Sequence, residues 1–221
     1  MIILVVAKAP VPGHAKTRLC PPATLRQAAA IAAAALLDTL DAVRATPGVT
    51  PVLAYAGRLA DAERSDEIRS ALAGWHVVPQ RGATFADRLA HAHADAAAHA
   101  PGQPVLQIGM DTPQVRPTTL AASLDRLQAA DAVLGPATDG GWWALGLRDP
   151  LHASALRPVP MSTSQTGRLT RSALAAGGLD IVDAPTLSDV DTWDDALAVA
   201  SATPGGRFAT TMAELSAGVA R

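Results

Sequence analysis

The sequence predicts an α/β fold with a mostly parallel central sheet flanked by helices. Three observations carry that prediction. Short aliphatic runs alternate with helical stretches along all 221 residues, the pattern of consecutive strand–helix–strand units. The first run, residues 2–7, is continuously apolar, as a strand covered on both faces must be. Hydrophobic residues make up 49% of the chain, enough to fill one substantial core and too many for a disordered chain. No linker or internal repeat interrupts the pattern, so residues 1–221 are expected to form one domain.

Each element has a local reason. A loop holding Pro10, Pro12 and Gly13 follows the first strand. Thr24 is placed to cap an alanine-rich helix running to about residue 45, stopped by Pro47 and Gly48. Residues 51–56 read as the second strand, 59–73 as the second helix and 75–78 as a short third strand. A helix over 85–100 is closed by Pro101 and Gly102, and 104–109 form the fourth strand. Residues 117–129 are helical, and strands over 132–135 and 142–147 flank the Gly140–Gly141 turn. A helix over 166–176 stops at Gly177–Gly178, and a strand follows over 179–183. Thr192 and Asp195 make a variant capping box for a helix over 192–202, and a last helix is expected over 210–219.

Composition removes several functions. Eighteen basic and twenty acidic residues leave a net charge of −2, without the basic footprint that nucleic acid or an anionic membrane requires. An aromatic fraction of 3% offers no stacking platform for single strands. The single cysteine, Cys20, excludes an internal disulfide and a multi-cysteine zinc site. The apolar segments 1–7 and 28–37 are too short for a signal sequence or a membrane span. A soluble cytoplasmic enzyme or small-molecule binding protein is the expectation that remains.

Ligands of such sheets collect beyond the carboxyl ends of the strands, so the loops after Ala7, Gly109 and Gly135 are the places to look. The first, Ala7 to Leu19, holds Lys8, Lys16 and Arg18 among Pro and Gly residues. Lys and Arg suit phosphate oxygens; the same composition also suits an ordinary surface loop. Neither the phosphate-loop nor the dinucleotide glycine spacing is present. Asp111, directly after the fourth strand, either holds Mg²⁺ or opens a turn into Pro113. In the segment Gly135 to Trp143, Gly140 and Gly141 permit close backbone approach to a ligand or make a tight hairpin turn. Trp142 and Trp143 are either a pocket wall or core. Asp189 and Asp191 are either a late metal ligand pair or favourable charges at a helix start. His91, His93 and His99 lack a zinc spacing, and their helix is expected to face solvent.

The order of these motifs resembles the nucleotide-diphospho-sugar transferase superfamily. Within it, the chain is similar to a bacterial family of glycosyltransferase-like proteins related to 2-phospholactate guanylyltransferase and molybdenum cofactor guanylyltransferase. The resemblance rests on A-K-x-P-x-P-G-x-x-K-T-R-L from Ala7, Q-x-G at Gln80–Gly82 followed by Arg88–Leu89, G-x-D-x-P from Gly109, G-P-A-x-D-G-G from Gly135 and D-x-D-T from Asp189. Departures fall at Gln114, Trp142, Trp143 and Met161, positions the resemblance places toward the acceptor.

The resemblance implies a single-domain, Rossmann-like GT-A fold. It implies that Lys8, Lys16 and Arg18 bind donor phosphates, with Ala7, Gly13, Gln80, Gly109, Asp139, Gly140 and Gly141 also around the donor. It makes Asp111 the principal ligand of Mg²⁺ or Mn²⁺ and Asp191 the second, with Lys16, Arg18 and Asp111 as the catalytic set. The leading expectation is transfer of a nucleoside monophosphate from a triphosphate to a small anionic acceptor. Metal-dependent glycosyltransferases of this fold carry Asp-x-Asp where this chain has Asp111-Thr112-Pro113. Glycosyl transfer from a nucleotide-sugar, with Asp139 as base, is the alternative, and a non-catalytic nucleotide-binding protein is the third.

Overall fold

The computed structural model describes residues 1–219. Its centre is a seven-stranded sheet of β1 (Ile2–Lys8), β2 (Thr50–Ala56), β3 (His76–Pro79), β4 (Val105–Ile108), β5 (Ala132–Pro136), β6 (Trp142–Leu147) and β7 (Ile181–Asp183). The spatial order is β3-β2-β1-β4-β6-β5-β7. β1 pairs in parallel with β2 and β4, β2 with β3, and β5 with β7. β6 alone runs antiparallel, wedged between β4 and β5. The chain order reverses beside β1, which puts a crevice at the carboxyl ends of β1 and β4.

Alternation along β1 divides the core. Ile3, Val5 and Ala7 pack with Leu36 and Leu40 of α1 (Leu25–Arg44) and Leu120 and Leu124 of α4 (Pro117–Ala129). Ile2, Leu4 and Val6 pack on the other face with Leu89 and Ala92 of α3 (Phe85–His99) and with Leu156 of the 3-10 segment Pro150–Leu156. Each fully buried Leu or Ile contributes about 1.5–3 kcal/mol of apolar burial. A third cluster lies beyond α1, where Ile31 meets Val199 of α6 (Trp193–Ala202) and Phe208 and Met212 of α7 (Arg207–Val219). α1 is therefore covered on two sides. Its alanines let both neighbours approach, and a helix apolar nearly all round is expected to be buried. The Thr24–Gln27 capping box begins it, with Thr24 N–H donating to Gln27 Oε1 at 2.8 Å. No helix of the described residues is long and apolar enough to cross a membrane.

Three expectations need correction. The helix predicted over 59–73 is split into a 3-10 turn, Leu59–Asp61, and α2, Ser65–Ala71. Between them Glu63 N–H donates to Pro10 O at 2.9 Å, a tie to the first loop in place of a helical bond. The last helix begins at Arg207, three residues early, because Asp38 of α1 accepts from Arg207 N–H (3.0 Å) and Phe208 N–H (2.8 Å). That carboxylate satisfies two of the free donors of a helix start. His93 does not face solvent: it is fully buried, on the same helical stripe as Leu89, Ala92 and Ala96. Its Nε2–H donates to Gln107 Oε1 of β4 at 3.0 Å, while Nδ1 has no partner. Burial holds this histidine far below its usual range, at about 4.

Candidate active site

A cleft of about 620 Å³ opens at the carboxyl ends of β1 and β4, within the size range of small-molecule sites. Of the residues singled out in the sequence, Ala7, Lys8, Lys16, Arg18, Gln80, Gly109, Asp111, Asp139, Gly141 and Asp191 line it. Gly13 and Gly140 do not. Gly13 lies exposed in the first loop. Gly140 has φ +88° and faces the Ser164 carbonyl so closely that a Cβ would collide with it. Gly140 O also accepts from Gly167 N–H at 2.9 Å. The glycine thus seats the β5–β6 hairpin against the start of α5 (Thr166–Ala176).

Lys16 sits at the centre of the charged side. Its loop leaves β1 at Lys8, is tied by Glu63 and by Ala9 N–H to Ala56 O (2.7 Å), and is anchored by fully buried Leu19. Lys16 itself adopts a left-handed backbone, φ 49°, a conformation costing a non-glycine residue about 1 kcal/mol or more. Its Nζ lies 2.9 Å from Asp111 Oδ2 and 2.8 Å from Asp191 Oδ1. Arg18 Nη1 reaches the other oxygen of Asp191 at 3.2 Å. The lysine side chain is only 14% exposed. Burial by itself would lower its affinity for a proton, but the two carboxylates outweigh burial and hold it above its usual range. In turn, burial would raise Asp191, yet Lys16 and then Arg18 keep it below the usual carboxylate range.

Backbone ties bring these distant residues together. Val190 N–H donates to Asp111 O at 2.9 Å, docking the late acidic segment onto the turn after β4. Gly109 leaves room for the Asp111 carboxylate, since a Cβ there would stand 2.6 Å from Oδ1. The Thr192–Asp195 capping box is formed as the sequence predicts, with Thr192 N–H on Asp195 Oδ2 at 2.7 Å. It frees Asp191 to face the cleft. Gln80 spends its side-chain amide on Ala7 O (2.9 Å) and Ala54 O (3.0 Å), which leaves its carbonyl as the group offered to a ligand. Asp139 Oδ1 accepts from Gly141 N–H at 2.8 Å, so the turn role and the place on the cleft wall hold together. Trp142 and Trp143 both line the cleft; Trp143 is 98% buried and donates Nε1–H to Pro185 O at 2.8 Å.

Asp189 joins Asp111, Asp139 and Asp191 as a fourth carboxylate on the cleft wall. Its Oδ1 is buried without a hydrogen-bond partner. Burial first, then the negative charges of Asp111 and Asp139, push it well above the usual carboxylate range. Crowded carboxylates with an orphaned oxygen fit a hard divalent cation, which takes oxygen ligands and relieves like-charge repulsion. Among the described residues no three such side chains already converge on one point; between Asp111 and Asp191 stands the Lys16 ammonium. Arg88, Phe85, Gln107, Met161 and Ser162 also line the cleft. Sequence reasoning assigned Phe85, Gln107 and Ser162 no role; Arg88 entered only as part of the motif that follows Gln80–Gly82, and Met161 only as a departure on the acceptor side.

Comparison with known proteins supports this architecture. The chain is similar to a protein provisionally named a nucleotide-diphospho-sugar transferase from Desulfovibrio desulfuricans G20, with a TM-score of 0.85 and 23% identity over 99% of this chain and 96% of that one. It is similar to Rv0371c of Mycobacterium tuberculosis H37Rv in complex with manganese, with a TM-score of 0.52 and 22% identity over 90% and 97% of the two chains. CMP:2-keto-3-deoxy-manno-octonic acid synthetase complexed with CTP aligns with a TM-score of 0.52 and 13% identity over 86% and 92%. At these identities the likeness establishes the fold. No curated protein matches the chain. Residues 39–163 match a family model, more than half of the sequence, and the chain belongs to that family, "Uncharacterized protein conserved in bacteria (DUF2064)".

Proposed function

We propose that this chain is a divalent-metal-dependent nucleotidyltransferase that moves a nucleoside monophosphate from a triphosphate to a small anionic acceptor and releases pyrophosphate. The observation that carries the reading is the convergence of Lys8, Lys16 and Arg18 with Asp111, Asp189 and Asp191 in one cleft. Cations there bind phosphate oxygens, and carboxylates hold the metal that triphosphates bring. The fold is shared with a synthetase solved with CTP and with a protein solved with manganese.

In this reading an acceptor oxygen attacks the α-phosphorus. A phosphorus–oxygen bond forms, the bond to the β-bridging oxygen breaks, and its electron pair leaves with pyrophosphate. Asp111 and Asp191, with Asp189, would hold Mg²⁺ or Mn²⁺, which neutralises charge on the phosphates when bound. Lys16 would exchange its carboxylates for phosphate oxygens as the donor enters. Gln80 presents an acceptor to the base or ribose. No protein nucleophile is needed, because catalysis here is positioning and charge stabilisation. The single Asp111 after β4, where metal-dependent glycosyltransferases of this fold carry Asp-x-Asp, supports this reading over glycosyl transfer.

The test is a thermal-shift panel of nucleoside triphosphates and nucleotide-sugars, with and without Mg²⁺ or Mn²⁺. A ligand at a hundred times its Kd stabilises by about 2.7 kcal/mol, a rise of roughly 5–10 °C for a domain of this size. The expected result is a metal-dependent rise with one triphosphate. A rise confined to a nucleotide-sugar turns the reading to glycosyl transfer, and no rise with either class turns it to a non-catalytic protein.

A further inference from the structure

The cations of the cleft fall into two groups. Lys16 and Arg18 are ion-paired with Asp111 and Asp191, and their loop is anchored through Leu19 on the side of α1 and α6. Lys8 and Arg88 also line the cleft, yet among the described residues neither has a carboxylate partner. Both belong to the α3 side. Alternation from Ile2, Leu4 and Val6 carries Lys8 onto the face that α3 covers, and Arg88 lies in the first turn of α3 itself. The neighbouring acid, Asp87, accepts from Thr84 N–H and Oγ1–H on one oxygen and from Arg157 on the other at 2.9 Å, so it does not neutralise Arg88. The Arg88 guanidinium rests over the Phe85 ring, 5.5 Å from its centre, and Phe85 is 41% exposed. Trp142 and Met161, half-buried on the same core cluster, complete an apolar wall.

An anion entering this cleft meets the negative charges of Asp111, Asp139 and Asp191. Among the described residues lining the cleft, it finds positive charge without a carboxylate partner on the α3 side. Complementarity of this kind selects partners more than it adds raw affinity. We propose that Arg88, above the Phe85–Trp142–Met161 wall and beside the Lys8 that faces the donor phosphates, forms the acceptor subsite. It selects an acceptor whose oxyanion, carboxylate or phosphate, is joined to an apolar or planar body. The planar fork of Arg88 matches either oxyanion in a bidentate contact. This inference rests on nucleotidyl transfer as the reaction.

The experiment titrates phenyl phosphate, benzoate and neutral benzyl alcohol into the wild-type chain and into Arg88→Ala and Arg88→Lys, by calorimetry. ATP, GTP, CTP and UTP with Mg²⁺ are titrated in parallel. We expect saturable binding of at least one aryl anion, weakened about 10- to 100-fold in Arg88→Ala and less in Arg88→Lys. Benzyl alcohol should show no dependence on Arg88. Nucleotide affinity should be unchanged in both variants, and bound nucleotide should not displace the anion. Phenyl phosphate against benzoate tells which oxyanion the subsite takes. Aryl anions that bind equally to all three proteins, or that compete with the nucleotide, overturn the proposal. So does a loss of nucleotide affinity in Arg88→Ala. Arg88-dependent anion binding without any nucleotide binding supports the anion site and overturns nucleotidyl transfer; the reverse pattern overturns the site alone.

Discussion

Replacing Lys16 with alanine removes the one ammonium that two carboxylates share. The oxygens of Asp111 and Asp191 lie 2.9 and 2.8 Å from it, so they stand no more than about 6 Å apart. At an effective dielectric of about 20 their repulsion is about 3 kcal/mol. The aspartates are 33% and 38% exposed, and water screens part of this. A loss of about 1–2 kcal/mol is expected in chelator, a fall in Tm of roughly 2–8 °C. Without nucleotide, Mn²⁺ should then stabilise Lys16→Ala more than wild type, because the cation's place between the carboxylates has been vacated. Lys16→Arg keeps the charge and should respond like wild type. Differential scanning calorimetry in EDTA and in millimolar Mn²⁺ reads all three. If Lys16→Ala is as stable as wild type in EDTA and gains nothing extra from Mn²⁺, Lys16 does not hold these carboxylates together and the reasoning fails.

Asp111→Asn should abolish metal-dependent turnover with the fold intact by circular dichroism; normal activity would remove Asp111 from the metal site. Gly140→Ala should cost about 1–3 kcal/mol through its positive φ and the collision with Ser164, read as a lower urea midpoint; an unchanged midpoint would contradict the packing described. His93 makes stability depend on pH. It stays neutral in the fold down to about 4, whereas the unfolded chain takes up the proton near 6.5. Its contribution is therefore complete above about 6.5 and declines as pH falls toward 4, by about 3 kcal/mol in total. Urea unfolding of wild type and His93→Leu across that range should show the wild type losing stability faster on acidification; parallel curves would refute it.

Much of the candidate site was legible because its residues occupy loops that topology gathers at one cleft. Lys8, Lys16 and Arg18 follow the first strand and Asp111 follows the fourth, where a parallel sheet opens its crevice. Asp191 precedes a capping box that a three-residue spacing reveals. His93 was legible too, since its place four residues after Leu89 sets it on the buried stripe, but zinc spacing was the wrong question to ask of it. Gly140 had two readings, approach to a ligand or a tight turn, and in the structure it is the Ser164 carbonyl that approaches it. A glycine pair signals close backbone approach and does not name the group that approaches.

Other features had no local signal. The early start of α7 depends on Asp38, far away in sequence, and the break before α2 depends on the Pro10 carbonyl. That Lys16 bridges Asp111 and Asp191, that Asp189 has an orphaned oxygen, and that Arg88 escapes neutralisation by Asp87 all follow from which segments fold against each other.

The sequence by itself determined the alternation of strand and helix, the capping of α1 and α6, and the loops that carry charge. These depend on apolar periodicity and on hydrogen bonds a few residues long. Only the tertiary structure decided which charges are paired and which are left for a ligand. Electrostatic pairing depends on distance in space and on burial, and both were set by long-range ties such as Val190 to Asp111 that no local pattern encodes.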